Sequence, residues 1–488
     1  MTDATGRLQR IERILWALTL VTLPVTSFRY MPFMGADSQV RPLALIPAGL
    51  LFGVLVLRSL RQRCLLVWSN SLLPLLAFAL VALVSSAVGF FMAPVALYQY
   101  TYGSRVLRAW ITLCVGVLFF IVAMSMNHSE DELKFSLKWL YVGLVGHVAW
   151  SLVQLLHFYV LDVLFNNQFW GNLVDQIQRS FMVTGLTNNR RISGLALEPS
   201  WLAAQVLTVY LPWAFASVIA GYRWSKYRWL APLCLVVCGG LILFTYSRSG
   251  ILIAAGAGLL ALLFVGRDWL KQAWAWLLRP FTGKADGTAP RPLEAAARVA
   301  LVVILLAGLA GGAVVLSHNQ YFARIWHSNK TDLVSYFVDI YAGPRLADAW
   351  AGWTIFEQHP WTGVGLGATG LYYFKALPDW AHFNMPEIAQ LLSPGNQTYP
   401  NAKDLFIRLL AETGIAGLWT FMAFYLLMLG KALLLLNSPR KVLLFAGAAS
   451  LMAWLAIIAL GFTQDSLAMA NIWLPLGMLA GMAEAKDQ

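Results

Sequence analysis

The chain has 488 residues, of which 59% are hydrophobic and only 12% are charged, and its formal net charge is +12. A soluble protein of this length carries about 25% charged residues, so the composition excludes an ordinary soluble fold. Many segments reach the roughly 20 apolar residues needed to cross a bilayer. The sequence therefore predicts an all-α, polytopic membrane protein with a single integral-membrane domain over residues 1–488.

About twelve apolar segments have the length of a membrane span. They lie near residues 14–28, 42–57, 71–92, 107–126, 138–160, 196–220, 229–246, 249–266, 298–317, 404–430, 441–461 and 466–483. This arrangement puts four basic segments on the side of the N-terminus: RSLRQR at 58–63, YRWSKYR at 222–228, the loop 267–297 and SPRK at 438–441. Because Lys and Arg gather in cytoplasmic loops, that side is predicted to be cytoplasmic. The same rule explains the net positive charge, so no nucleic-acid partner is expected.

Two segments on the opposite side are too long to be simple connections. They cover about residues 161–195 and 318–403. Loops of this length usually carry function. The second is rich in aromatic residues, Gly and Pro and contains the helical patch RLADAWAGWTIFEQ at 345–358, which predicts a folded cap against the membrane.

Arginines on this outer side need an explanation that the cytoplasmic ones do not. They are Arg190, Arg191, Arg248, Arg324 and Arg345. Arg248 lies between Ser247 and Ser249 in a turn so short that its two spans must form a hairpin. The planar guanidinium fork binds phosphate through two parallel hydrogen bonds and stays charged, which favours an anionic ligand. The alternative is that these arginines anchor to lipid headgroups or pair with acidic residues.

Glu198 immediately precedes Pro199 at the start of the span 196–220. Proline is favoured at the first helical position, and a carboxylate there is stabilised by the helix dipole. A purely structural role is one interpretation of Glu198. Pairing with Arg191, or contact with a sugar hydroxyl, is the other.

The segment TYPNAKDLFIRLLAETGIAGLW at 398–419 brings polar groups to the end of the second long loop. Asn401, Lys403 and Asp404 stand just before a span, and Glu412 lies two turns inside it. An ionisable group inside a span is a functional candidate. For Glu412 the alternative is an ion pair with Arg408, four residues earlier on the same helix face.

Two signals are set aside. GLGATG at 365–370 matches the dinucleotide pattern GxGxxG, but it follows no predicted strand and belongs to no βαβ unit. The seven histidines are too scattered to indicate a metal site. We expect no nucleotide, no metal and no other cofactor.

Four motifs in chain order resemble the O-antigen ligase and polymerase superfamily. They are R-x-S-G-L-x-x-E-P-S at 191–200, S-R-S-G at 247–250, R-x-x-x-x-W followed by HPWTGVGLG at 345–367, and N-A-K-D with L-L-A-E-T-G-I-A-G-L at 401–418. The resemblance covers roughly residues 180–420. It implies a multi-pass glycosyltransferase of the bacterial inner membrane, with its active site facing the periplasm and undecaprenyl-diphosphate-linked glycans as donor and acceptor. Membrane lipids, a chain-length regulator and a repeat-unit flippase are the other partners that it implies.

The family implies that outer arginines hold the lipid diphosphate, which corresponds to Arg191, Arg248 and Arg345. Ligases typically carry a histidine where this chain has Lys403, and the EPS form of the first motif looks more like the polymerase branch. The candidate catalytic residues are Arg191, Glu198, Arg248, Arg345, Lys403 and Asp404. The candidate substrate-binding residues are Arg190, Ser247, Ser249, Asn401 and Trp350.

The leading hypothesis is a metal-independent polymerase that joins oligosaccharide repeat units. The alternatives are a ligase that transfers a finished glycan to a lipid or protein acceptor, and a transporter or flippase of an anionic lipid-linked solute. Preorganised arginines can stabilise a diphosphate leaving group without a metal ion, which suits the polymerase and the ligase. The long outer cap and the lack of inverted repeats disfavour the transporter.

Overall fold

A computed structural model of the chain describes residues 2–32, 38–62, 69–94, 96–161, 168–186, 190–282, 292–318, 320–383, 385–393 and 395–484. Helices dominate these residues. Strands β1 (Ala96–Leu97) and β2 (Tyr100–Thr101) form one short antiparallel pair, with Ala96 opposite Thr101. The all-α architecture predicted from composition is confirmed.

The helices before residue 245 are α1 (Thr2–Thr22), α2 (Leu45–Gln62), α3 (Leu72–Met92), α4 (Tyr102–Ser125), α5 (Glu130–Leu156), α6 (Gln168–Phe181), α7 (Pro199–Gln205), α8 (Leu211–Ala220) and α9 (Leu230–Phe244). A π-helical turn, His157–Leu161, extends α5, and another, Val206–Tyr210, joins α7 to α8.

The remaining helices are α10 (Arg248–Val265), α11 (Arg267–Thr282), α12 (Pro292–His318), α13 (Gln320–His327), α14 (Leu333–Asp339), α15 (Gly343–Gln358), α16 (Thr369–Ala376), α17 (Pro386–Leu392), α18 (Leu405–Leu436), α19 (Lys441–Gly461) and α20 (Ala470–Glu484). A short 3₁₀ turn covers Asp379–His382.

Every predicted span overlaps a helix, and eight of the described helices are long and apolar enough to cross a membrane. They run over Leu72–Met92, Tyr102–Ser125, Glu130–Leu161, Pro199–Ala220, Arg248–Val265, Pro292–Val314, Leu405–Leu436 and Lys441–Gly461. The other predicted spans coincide with α1, α2, α9 and α20. The total of about twelve crossings therefore stays a prediction.

The first span differs from its predicted bounds. It was expected at 14–28, whereas α1 runs over Thr2–Thr22 and includes the polar, basic start of the chain. The chain leaves the helix just before Pro24, because the pyrrolidine ring disfavours helical geometry in the preceding residue.

The core lies between α4, α18, α19, α20 and the helix Pro199–Ala220. Helix α20 is buried along its length and packs on α4. Gly477 and Gly481 allow this close approach, since a Cβ atom at either position would meet backbone oxygens of Phe120 or Met124. Small residues serve the same purpose in other membrane helix pairs. Helix α12 is the opposite case, because none of the described side chains in its apolar window is buried.

The predicted cap is folded and is tied to a break in α18. Gly414 has φ 64° and ψ −170°, which interrupts the helix. The cap loop fills the break: Val364 N and Gly365 N donate to the carbonyls of Ala411 and Glu412, each at 2.9 Å. Backbone groups freed inside a membrane helix must find such partners within the protein.

The segment GLGATG at 365–370 lies where the cap loop meets the break in α18. Gly363, Gly365 and Gly367 all have positive φ, which favours glycine. A Cβ atom on Gly365 would overlap the Tyr102 ring, and one on Gly363 would overlap the backbone at Glu412. The segment follows a turn and packs the cap onto α4 and α18. These glycines serve close backbone packing.

The hairpins define two sides of the molecule. The cap, the turn between α9 and α10 and the turn between α19 and α20 lie at one end of the long helices, joined by contacts described below. Helix α11 and the turn between α18 and α19 lie at the other end, because α10 and α18 each run across the bundle. Residues 283–291 of the predicted cytoplasmic loop 267–297 lie outside the described residues.

We expect reporter fusions to read these sides separately. A fusion at Ser438, in the turn after α18, should be cytoplasmic, and a fusion at Pro378, in the cap, should be periplasmic, because basic loops stay inside. Alkaline phosphatase and fluorescent-protein fusions measure this in whole cells. A cytoplasmic reading at Pro378 would contradict the predicted orientation of the cap.

Candidate active site

The segment Ile192–Glu198 is irregular backbone buried at the end of the bundle, and side chains of α5 hold it in place. Ser193 N and Gly194 N both donate to Gln154 Oε1, at 3.0 and 2.9 Å, and Leu195 N donates to His147 Nδ1 at 3.1 Å. Gly194 has φ +55°, and a Cβ atom there would crowd His147. Non-helical backbone at membrane depth is tolerated only with such internal partners.

The side chains of His147 and Gln154 are themselves held by further hydrogen bonds to polar groups. His147 Nε2 lies 2.7 Å from Gln205 Oε1, and Gln205 Nε2 donates to the carbonyl of Leu23 at 2.9 Å. Gln154 Nε2 donates to Gln178 Oε1 at 3.0 Å. The sequence analysis missed these residues. Their signal was the presence of polar amide side chains in otherwise apolar spans, which is costly unless they are hydrogen-bonded.

Glu198 stands at the start of a helix, as predicted. It is the N-cap residue of α7, with φ −145° and ψ 164°, and Pro199 is the first helical residue. Its carboxylate accepts a hydrogen bond from the Ser200 hydroxyl. The carboxylate is half-buried and lies at the C-terminal end of the irregular segment that follows Arg191. Its action on Arg191 or on a sugar stays a prediction.

Arg191 ties this segment to the turn between α9 and α10. Arg191 Nε donates to the carbonyl of Thr245 at 2.8 Å, and Ile192 N donates to that of Phe244 at 3.2 Å. The neighbouring Arg190 has φ +52°, and its carbonyl accepts from the Tyr159 hydroxyl at 3.1 Å. The first motif is thus fixed against the second.

The second motif forms the predicted hairpin. Ser247 caps α10 by accepting from Gly250 N at 3.2 Å, and its Oγ lies 3.4 Å from Ser249 Oγ. Arg248 is the first residue of α10, and its Nη1 donates to the carbonyl of Ile340 at 2.6 Å. Because Ile340 immediately follows α14 in the cap, this bond connects the hairpin to the cap.

The third and fourth motifs repeat the same type of contact. Arg345 Nη1 donates to the carbonyl of Thr463 at 2.7 Å, and Arg408 Nη1 donates to that of Asp465 at 2.7 Å. Both carbonyls belong to the turn between α19 and α20. Arg324, the remaining outer arginine, stacks 4.2 Å from the ring centroid of Tyr341.

Lys403 forms an ion pair with a residue that the sequence analysis missed. Its Nζ lies 3.3 Å from Asp348 Oδ2; the Lys403 side chain is 49% exposed and that of Asp348 only 2%. The Tyr373 hydroxyl also donates to Asp348. Burial raises the pKa of the Asp348 carboxyl, while the charge of Lys403 acts in the opposite direction. Asp348 lies one helical turn after Arg345 on α15. Lys403 therefore approaches the face of α15 that also carries Arg345.

The other polar residues of the fourth motif have separate roles. Asp404 caps α18, accepting from Phe406 N at 2.9 Å and Ile407 N at 3.0 Å. Asn401 Oδ1 is buried without a hydrogen-bond partner among the described atoms. Trp350 is 49% exposed on the cap, with its ring edge-on to Trp380 at 6.3 Å.

Glu412 forms the ion pair with Arg408 that the helical spacing allowed. Arg408 Nε lies 3.0 Å from Glu412 Oε1, and both side chains are buried. The Thr369 hydroxyl donates to the same oxygen at 3.2 Å. The pair holds the cap helix α16 to α18, so Glu412 has a structural account.

Arg105 is a further cation at this end of the bundle that the sequence analysis missed. Its guanidinium carbon lies 3.6 Å from the ring centroid of Tyr399, and its Nε is buried with no hydrogen-bond partner in the described part of the chain. Arg108 lies one turn further along α4, with its guanidinium carbon 5.7 Å from the Tyr100 ring centroid. The sequence contained a signal for these two arginines, because both stand at the predicted outer end of the span 107–126.

Six cationic side chains from separate elements thus belong to one connected set of contacts beneath and beside the cap. They are Arg105, Arg191, Arg248, Arg345, Lys403 and Arg408. The buried carboxylates that these contacts include are Asp348 and Glu412. The excess of positive charge suits an anion with several oxygens, since guanidinium groups bind phosphate oxygens bidentately.

The fold and this site define a polytopic α-helical membrane protein with a cluster of cationic side chains beneath and beside the folded cap. Residues 233–422 match the family model described as O-Antigen ligase. The match supports membership of the chain in the O-antigen ligase and polymerase superfamily, so the resemblance drawn from the motifs is confirmed. Such membership implies a glycosyltransferase-like membrane enzyme of O-antigen biosynthesis. A search of curated proteins finds no match to the chain.

The ion pair of Arg408 and Glu412 should be strongly coupled. Glu412→Gln leaves a buried guanidinium without its counter-charge, and breaking a buried pair costs about 3–5 kcal/mol. We expect the double variant Arg408→Gln/Glu412→Gln to be less destabilised than the sum of the single variants. Unfolding in detergent, followed for the four proteins of the cycle, measures the coupling.

The exposed pair of Lys271 and Asp268 is the control for this cycle, with side chains 67% and 85% exposed. Its coupling should be about 0–1 kcal/mol, because solvent screens the charges. Equal coupling in both cycles would show that the buried pair does not hold the cap.

Proposed function

We propose that this protein polymerises undecaprenyl-diphosphate-linked oligosaccharide repeat units at the periplasmic face of the bacterial inner membrane. The observation that carries the proposal is the common role of four motif arginines. Arg191, Arg248, Arg345 and Arg408 each donate to a backbone carbonyl of a turn, and Arg345 and Arg408 share the turn between α19 and α20. The motifs are distant in sequence, and these contacts connect them at the cap end of the bundle.

The chemistry follows from the activated donor. The acceptor hydroxyl oxygen attacks the anomeric carbon of the donor sugar, and the bond from that carbon to the diphosphate oxygen breaks. The electron pair leaves with the lipid diphosphate, and the hydroxyl proton passes to a base. Negative charge grows on the leaving oxygen, where arginines held in place beforehand stabilise it.

Anchoring makes these arginines effective donors. A guanidinium has five N–H groups in a rigid plane, so one N–H can hold a carbonyl while the plane keeps its orientation. Such preorganised donors stabilise developing charge without a cost of reorientation. Removing one typically lowers the rate by about 10²–10³.

Lys403 contributes charge in this mechanism. Its Nζ lies 3.3 Å from Asp348 Oδ2, which holds the side chain against α15. Lys403 would attract the diphosphate, in the position where ligases carry a histidine. This difference favours polymerisation over ligation.

Glu198 and Trp350 complete the proposed site. The half-buried carboxylate of Glu198 lies eight peptide bonds or fewer from Arg190 and Arg191 and would orient Arg191 or the acceptor sugar. The exposed ring of Trp350 would stack on sugar rings, since aromatic faces are suited to flat apolar surfaces. The polyprenyl tails would lie in apolar grooves between spans.

A ligase is the second candidate, because the matching family model is described as O-Antigen ligase. The two reactions differ in their product. With a lipid-linked repeat unit as the only substrate, a polymerase makes a ladder of products that remain on the carrier. A ligase leaves that substrate unchanged until a separate acceptor is added.

Conservative arginine variants separate catalysis from membrane anchoring. Arg191→Lys and Arg248→Lys should insert normally yet make little polymer, because lysine keeps the charge and loses the planar fork. An assay with a purified lipid-linked repeat unit, resolved on a gel, measures the product ladder. Glu198→Gln should be impaired more mildly if Glu198 only caps its helix.

Arg228→Lys is the matched control, since Arg228 is exposed in the loop at the opposite end of α9. It should retain wild-type activity. Near-normal polymer from both Arg191→Lys and Arg248→Lys would contradict the proposal. It would indicate that these arginines are lipid anchors, because lysine reaches headgroups equally well.

We expect transfer to proceed from the lipid-diphosphate substrate alone, without nucleotide, and to survive a chelator. The bond to the diphosphate already activates the sugar, and cationic side chains can stabilise the leaving group. The same assay with excess EDTA measures this, with a metal-dependent glycosyltransferase as a positive control. Loss of activity that a divalent ion restores would show that the arginines are not sufficient.

A further inference from the structure

An apolar groove separates α5 from α9 at the end of the bundle away from the arginines. Its volume is about 750 Å³. Apolar side chains of both helices line it, including Val142, Val145 and Val148 on α5 and Leu233 and Val237 on α9. Three lysines complete the lining: Lys134, Lys138 and Lys226.

The groove has a fixed floor. The rings of Tyr141 and Trp224 stack in parallel, with centroids 4.7 Å apart and planes 7° apart. The Tyr141 hydroxyl donates to the carbonyl of Tyr210 at 3.0 Å, which holds the stack to the buried core. The Tyr222 hydroxyl donates to Glu130 at 2.8 Å and fixes the loop that carries Lys226. The shape of the groove therefore exists without a ligand.

The length of the groove corresponds to one leaflet of a bilayer. The lining on α5 runs from Lys134 to Val148, and fourteen residues of helix rise roughly 21 Å. Half of a membrane with its headgroups is about 20–22 Å thick. A single phospholipid fits this depth, with its headgroup at the lysines and an acyl chain along the valines.

The position of the groove separates it from the arginine site. Tyr159, which contacts Arg190, lies 25 residues after Lys134 on the same helix and its π-helical extension. At about 1.5 Å per residue this distance is roughly 37 Å, the thickness of a membrane. The lysines therefore lie in the leaflet opposite the arginines.

The charges of the groove select for an anion. The lining has three lysines and no carboxylate. Lys134 is paired with Glu130 at 2.7 Å. Lys138 and Lys226 have only ring contacts among their described contacts, with their Nζ atoms 5.3 Å from the Trp139 centroid and 5.0 Å from that of Tyr227. Arg13 lies nearby, over the ring of Phe135 at 4.8 Å.

We propose that this groove binds one anionic phospholipid, with its phosphate between Lys138 and Lys226. Basic pockets between membrane helices on the cytoplasmic side bind anionic headgroups. The ammonium group of a zwitterionic lipid would meet lysines and no carboxylate in the lining. The site is independent of the polymerase reaction, since it lies in the other leaflet.

Native mass spectrometry of the purified full-length protein tests this proposal, with phosphatidylglycerol and phosphatidylcholine added separately in detergent. The wild type should retain one phosphatidylglycerol in preference to phosphatidylcholine. Lys138→Gln/Lys226→Gln should weaken phosphatidylglycerol binding roughly thirtyfold, because each lysine near an anionic surface contributes about fivefold. Val145→Trp, at a position 66% exposed, should block the groove and lower retention independently of charge.

Lys330→Gln/Lys375→Gln is the matched control, since both lysines are exposed on the cap side. This variant should bind phosphatidylglycerol as the wild type does. Equal retention of the two phospholipids, or unchanged retention in Lys138→Gln/Lys226→Gln, would overturn the proposal. Preferential retention of undecaprenyl phosphate through the same lysines would also overturn it and assign the groove to the carrier lipid.

Discussion

The candidate site depends on one constraint, which is that irregular backbone inside a membrane protein must find hydrogen-bond partners within the protein. The segment Ile192–Glu198 meets it through Gln154 and His147, which accept hydrogen bonds from the backbone N–H groups of Ser193 and Leu195. The break in α18 at Gly414 meets it through the cap loop, whose amides donate to the freed carbonyls. Each of these two loops is therefore held by a fixed set of contacts with the bundle.

Arginine satisfies the same constraint and adds charge. One N–H of each motif arginine is bonded to a turn carbonyl, which links segments that are far apart in the sequence. The five donors of a guanidinium make this dual use possible, whereas lysine has a flexible point charge. The stability of the turns and the charge of the site thus come from the same side chains.

The two ends of the bundle present different chemistry to the membrane. At the cap end, the contacts that link the motifs include Arg191, Arg248, Arg345 and Arg408 and the buried carboxylates of Asp348 and Glu412. At the other end, α5 and α9 diverge around an apolar groove with lysines at its mouth. Helix α5 takes part in both, since its C-terminal half holds the Ile192–Glu198 segment and its N-terminal half lines the groove. A lipid bound in the proposed groove would therefore contact the helix that also holds the Ile192–Glu198 segment.

The sequence by itself determined the helical membrane class, the approximate positions of the apolar helices, the hairpin at Arg248 and the helix start at Pro199. These features depend on local apolar length, charge placement and proline geometry, which neighbouring residues already encode. The motifs also indicated the family. The pair of Arg408 and Glu412 was visible as an alternative, because a spacing of four residues on a helix is a local property.

Only the tertiary structure decided which distant side chains meet. Asp348 beside Lys403, Arg105 over Tyr399 and Gln154 under Gly194 join residues separated by 55, 294 and 40 positions, and no local pattern encodes such contacts. The glycines of GLGATG show the same limit. Their spacing resembled a nucleotide loop, but the positive φ of Gly365 and Gly367 and the close contacts of these glycines became clear only where the cap meets the break in α18. Packing of separate elements, which depends on the whole chain, fixed these partners.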